Sequence, residues 1–223
     1  PVHLAHWKRS DLVLVLPAVI GLVILVRSTK LVFPETGVPA TITTTGVLER
    51  ATKEVTAWGW KPTYDTSLGF TRWEGVEPGY NFLGETSGAA EARAWLSKAG
   101  RLGSYGVYML RDDSWKATAS IGLDGSVQEI YLSLKELISP GPGPSLEAAR
   151  AIAQQRIRDI FGVDVTSLEK IEEGAVSVEG RHGYNFAWTK HEANGLVRDY
   201  YVTVYDRPVS IRESVGPPYD YRA

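Results

Sequence analysis

The chain contains no cysteine, which excludes disulfides, thiolate zinc sites, iron–sulfur clusters and thiol nucleophiles. It also lacks a charge imbalance: 24 Lys and Arg against 26 Asp and Glu leave a formal net charge of −2. No basic stripe or long charge run breaks that balance, so nucleic acid is not an expected partner. Histidine is scarce, with four residues in 223. His3 and His6 stand three apart near the N-terminus, a spacing that suits an interfacial position better than ligation of a metal or pigment. His191-Glu192 runs into Ala-Asn-Gly, a turn rather than the helix of a metalloprotease motif. Phosphate loops, dinucleotide fingerprints and Gly-x-Ser-x-Gly elbows are missing. Asp112-Asp113 falls between two strand patterns, where acidic residues serve turns. No catalytic residue, cofactor or metal ligand is expected, and the chain reads as a non-enzyme.

What the chain does have is an apolar run. Leu12 to Val26 carries no charge. As a helix it would reach roughly 22 Å, short of a hydrocarbon core of about 30 Å. Leu4, Ala5, Leu31, Val32 and Phe33 lengthen it, and Arg27 and Lys30 can lift their charges toward headgroups. Trp7 beside Lys8 and Arg9 has the look of an interfacial anchor. A buried helix of a soluble protein would show a polar face, and this one shows none. A cleaved signal peptide would end in small residues rather than Arg27-Ser28-Thr29. The expectation is a transmembrane helix within 1–33. Its anchor is built on Trp7, then Leu12, Val13, Leu14, Val15 and Leu16, then Ile20, Leu22, Ile24, Leu25 and Arg27. Pro17 and Gly21 sit mid-span, where a kink or close helix packing is tolerated. Basic residues tie across the span, so the short tail and large following domain decide the orientation. They suggest a single-pass protein of a bacterial inner membrane with its soluble domain in the periplasm.

Residues 34–42 (PETGVPATI) read as a linker. Thr43-Thr44-Thr45 can cap a helix through Trp58, with Val47, Leu48, Ala51 and Val55 on one face. A strand over Leu68–Trp73 and a helix over 87–99 follow, then strands at Gly106–Arg111, Trp115–Ile121 and Ser126–Leu134. Asp124-Gly125 marks a tight hairpin. The run Ser139-Pro-Gly-Pro-Gly-Pro144 separates a first α+β unit, 43–138, from a second, 145–215. In the second, Ser145 caps a helix with Leu146, Ala149, Ile152, Ala153, Ile157 and Ile160 as its apolar stripe and Gly162 as its stop. Strands are expected at Thr166–Ile171, Ala175–Glu179, Tyr184–Lys190, Arg198–Tyr205 and Val209–Ser214, with turns at Asn194-Gly195 and Asp206-Arg207-Pro208. A tail, 216–223, closes the chain.

The halves read as repeats. WKATASIGLDGSVQEI, from Trp115, and RDYYVTVYDRPVSI, from Arg198, share an alternating strand, an Asp-led turn and a following Val. A helix with regularly spaced Ala, Ser145–Phe161, followed by the hairpin Tyr200-Tyr201-Val202-Thr203-Val204-Tyr205 with Val209 and Ile211, resembles the PepSY-like domain. One span followed by two such units is similar to the region preceding the catalytic membrane domain in some bacterial CAAX-processing (CPBP) intramembrane proteases. The resemblance covers about 43–214. It implies an α+β fold of two units, each a helix packed on an antiparallel sheet. The proteases' Glu-Glu-x-x-x-Arg motif is not matched, because Glu172-Glu173 is followed by Ser177 where Arg would be required. The resemblance therefore implies the accessory part without the enzyme.

Seven Trp and eleven Tyr exceed what alternate core positions absorb. Tyr200 and Tyr201 must face opposite sides of their strand. Trp188, Tyr200, Tyr201, Tyr205, Tyr219 and Tyr221 are the candidate interface, since such rings favour protein contacts; the alternative is a small domain that fills its core with rings. The functional expectation is a single-span accessory or scaffold subunit of a larger membrane complex, of respiratory or photosynthetic type. Its partners would be integral membrane subunits and the lipid bilayer. The alternative is a PepSY-like sensory or inhibitory exodomain that binds a peptide or a protease.

Overall fold

The computed structural model describes residues 9–32, 40–59, 65–72, 76–98, 103–111, 114–133 and 141–221. The chain divides into two compact units, Pro1–Pro39 and Ala40–Ala223. The first contains α1 (Arg9–Val32), a 24-residue helix with Pro17 inside it. Its described side chains are those of residues 15–27, and Leu16, Leu22 and Leu25 are each at least 60% exposed. Among the described residues no helix is long and apolar enough to cross a membrane.

The second unit is α+β. In it α2 (Thr44–Ala57) starts where Thr43 accepts a hydrogen bond from the Gly46 amide at 3.1 Å, and it buries Val47, Ala51 and Val55. After β1 (Asp65–Arg72) comes a pair of helices, α3 (Val76–Thr86) and α4 (Ala89–Ser97). The sequence predicts one helix here, and α3 is additional. Its Pro78, Gly79 and Gly84 argue against a helix locally, but Phe82 and Leu83 bury against Leu196 and Val215, far along the chain. Burial overrides propensity. Strands β2 (Ser104–Arg111), β3 (Ser114–Gly122) and β4 (Val127–Leu132) form a meander, with Asp124 closing the β3–β4 turn by accepting from the Ser126 amide.

Next, α5 (Leu146–Phe161) begins at Ser145, whose Oγ accepts from the Ala148 amide. It stops at Gly162, which adopts φ 67°. The predicted stripe turns inward, with Ala149, Ala153 and Ile157 fully buried. The two strands expected at Thr166–Ile171 and Ala175–Glu179 are in fact a short 3-10 turn, Val165–Ser167, and one continuous β5 (Glu169–Val178). Pairing with β6 (Arg181–His191) carries the chain through Glu173-Gly174, which reads as a break in isolation. Strands β7 (Val197–Val204) and β8 (Pro208–Gly216) complete a second meander.

Among the described residues, eight strands form one antiparallel sheet in the order β1-β2-β3-β4-β8-β7-β6-β5. This corrects the expectation of one sheet per unit. The halves join through their last strands, with Glu129, Ile130 and Tyr131 opposite Arg212, Ile211 and Ser210. Ile130 and Ile211 sit at the centre of that join and are both fully buried. α2 lies over β2–β4 and α5 over β6–β8, and both helices share one core on one face of the sheet. Two meanders joined last strand to last strand, with helices on the same face, are related by a rotation about the sheet normal. The repeat seen in the sequence is therefore a spatial one. Gly141–Pro144 is tied to the second half: Gly141 bridges to Arg181, and its amide donates to the Gly180 carbonyl.

Candidate functional site: a tyrosine-lined carboxylate and an open sheet edge

Alternation on β7 sorts the candidate aromatics. Tyr200, Val202 and Val204 point to the helix face, and Asp199, Tyr201 and Thr203 to the other. On the helix face Tyr200 packs against Phe161 at 5.3 Å, and Trp188 stacks on Phe186 at 5.6 Å. Both are core residues, 2% and 3% exposed. Tyr205, 1% exposed, lies across Gly183. These three are covered by the protein itself and leave no surface for a partner. Burial of the Tyr205 hydroxyl, reinforced by Tyr131 and opposed by Arg181, raises its pKa.

Tyr201 and Tyr219 meet on the opposite face, and Tyr221 lies apart from them, against α3. Asp199 is fully buried and accepts hydrogen bonds from Thr189 Oγ1 at 2.7 Å and the Tyr201 hydroxyl at 3.3 Å. From the tail, Tyr219 bonds to the same carboxylate and to Tyr201. Desolvation first, and these bonds second, hold the Tyr219 hydroxyl well above the ordinary tyrosine range. Two residues on, Tyr221 donates to Glu85 Oε2 of α3 at 2.6 Å, which raises its pKa, and its ring stands edge-on to Phe82. The tail is thus held at two points, on the sheet and on α3. Chemically the cluster is a carboxylate saturated by hydroxyl donors, and it fastens the tail.

Nearby, Arg198 is clamped between Glu192 at 2.7 Å and Glu213 at 2.8 Å. Burial opposes its charge, but the two carboxylates outweigh burial and raise its pKa. Sequence reading singled out neither Asp199 nor the Arg198 clamp, because a charged residue in an alternating strand looks solvent-facing until its cover is known. Their one visible signal is the interruption of the strand pattern by Arg-Asp at 198 and 199.

The remaining predicted residues are dispersed. His3, His6 and Trp7 lie outside the described residues, as do the side chains of Leu12, Val13 and Leu14. Val15 to Arg27, with Pro17, Ile20, Gly21, Leu22, Ile24 and Leu25, are on α1. His191 sits on the surface, 3.6 Å from Glu169. Among the described residues no group of three or more His, Asp or Glu side chains is placed to hold a metal.

A second feature is the free border of the sheet at β5. Among the described residues its one strand partner is β6, and Ile171 and Val178 are each 40% exposed. Beside its second half is a cleft of about 290 Å³ lined by Pro142, Ala175, Ser177, His182 and Tyr184. At its middle, Arg150 of α5 makes a two-pronged bond to Glu173, at 2.8 and 2.9 Å. That bond, more than any other influence, lowers the Glu173 pKa.

No family model, curated protein or solved structure matches this chain.

Proposed function

We propose that the chain is a non-catalytic, single-span accessory subunit of a larger membrane assembly, with α1 in the bilayer and the α+β unit docking partner subunits outside it. The observation that carries this reading is α1. Its apolar side chains over residues 16–27 are exposed; this stretch of about 18 Å is shorter than a bilayer core, so the proposed span also takes in its flanks. In water such a surface is costly, at about 25 cal/mol per Å², whereas acyl chains or neighbouring helices solvate it. An extramembrane unit with its own core and clamped tail suits a rigid docking body. The bacterial inner membrane, with the unit on the periplasmic side, is the location this reading favours.

The test is extraction and co-purification of the full chain. It is expected to stay with membranes in alkaline carbonate and to migrate in mild detergent with stoichiometric membrane proteins. Release by carbonate, or a clean monomer in detergent, would refute the proposal. Ile20→Arg places a charge at mid-helix, costing about 2.5–3.5 kcal/mol on an insertion scale, and should reduce membrane retention.

A further inference from the structure

A strand at the border of a sheet presents a row of unpaired amides and carbonyls that invites another strand. This sheet has two borders. On β1 the register shifts between Leu68 and Thr71, and such a shift interrupts the row. On β5 the register also shifts, but near its start, between Lys170 and Glu172, and the pairing with β6 is regular from Glu172 to Val178, opposite Ala187 to Arg181. Seven consecutive residues match the usual length of a strand. α5 lies over β6–β8 and stops short of β5, touching it through Arg150. β5 therefore overhangs the core, with Glu172, Ala175, Ser177 and Val178 exposed.

Charge along the border selects the occupant. The first half of β5 carries Glu169, Glu172 and Glu173 against Lys170, and the second half, Gly174–Val178, carries none. A second copy pairing antiparallel over Glu172–Val178 would have its twofold axis at Ala175 and set Glu172 opposite Val178, which offers the carboxylate no cation. Glu173 is already held by Arg150. A strand from another protein, basic at one end and apolar at the other, matches both halves of the border. The cleft by Pro142, His182 and Tyr184 can receive one of its side chains.

We infer that Glu172–Val178 is the docking edge for an extended segment of a partner polypeptide, basic where it passes Glu172 and apolar where it passes Val176 and Val178. The inference rests on the accessory-subunit reading and names the surface that reading requires. The probe is the capped peptide Val-Thr-Val-Thr-Gly-Thr-Lys, written for antiparallel addition with its first Val opposite Val178 and its Lys opposite Glu172, and offered to the full chain in lipid nanodiscs. Hydrogen exchange at the amides of residues 172–178 should slow at least tenfold. Glu172→Lys should weaken binding at least tenfold, and a peptide with Glu in place of Lys should restore it. Protection elsewhere, or none, overturns the proposal. So does protection that grows with protein concentration without peptide, which would make a second copy the occupant. A chain that washes out of membranes yet shows peptide protection at β5 refutes the anchored subunit and supports the edge. A chain that stays with its membrane partners and shows no protection refutes the edge alone.

Discussion

Gly183 illustrates how one missing side chain fixes a neighbour. A methyl group there would collide with the Val204 carbonyl and meet the Tyr205 ring at 2.8 Å. Gly183→Ala should therefore cost about 1–3 kcal/mol, visible as a lower urea midpoint. Gly143 has a similar constraint at φ 73°, where a methyl would strike the His182 carbonyl. The tail tyrosines make a pH-dependent prediction. Both hydroxyls have raised pKa values in the folded chain, so their contribution is complete below about pH 10, the ordinary tyrosine value. It is lost as pH rises through the folded values. Limited proteolysis should show the tail being clipped at strongly alkaline pH, and at neutral pH in a Tyr219→Phe, Tyr221→Phe double variant. Equal cleavage in variant and parent would contradict the two-point attachment.

Elements differ in how openly the sequence declares them. α2 and α5 are legible because each has a capping hydroxyl and an apolar stripe, and α5 also has a left-handed glycine stop. Ser145→Ala should cost α5 about 1 kcal/mol, measurable by denaturant unfolding. α3 is not legible, since its reason for existing is Leu196 and Val215, more than a hundred residues away. β5 is half legible: its charged and uncharged halves look like two pieces, and pairing with β6 unites them. The aromatics show a further limit. Alternation told Tyr200 from Tyr201, but not which face the helices cover, so Trp188, Tyr200 and Tyr205 looked available when they are core. Between elements, Arg150 and Glu173 couple α5 to β5. Because the Glu173 pKa is lowered, this pair stabilises above the ordinary glutamate value of about 4.3 and fails as pH falls through the folded value. Glu173→Gln should remove that acid-side dependence from the exchange rates of β5 amides.

At the scale of the molecule, the two repeats are one sheet over one core. Ile130→Ala or Ile211→Ala at the join should cost about 2–5 kcal/mol. Both halves should still unfold in a single transition, with amides of β2 and β6 losing protection together. Separate transitions would mean that the halves are independent. The membrane retention proposed for the full chain belongs to the same scale, because the proposal places it on α1 and not on any residue of the sheet.

The join between β4 and β8 also constrains how the protein is made. β4 is translated about eighty residues before the strand that covers its border. At roughly 5–20 residues per second, that border stays open on the ribosome for about 4–16 s. Nascent chains stalled before Pro208 should therefore be sticky and recruit chaperones, and release of β8 should end that vulnerability.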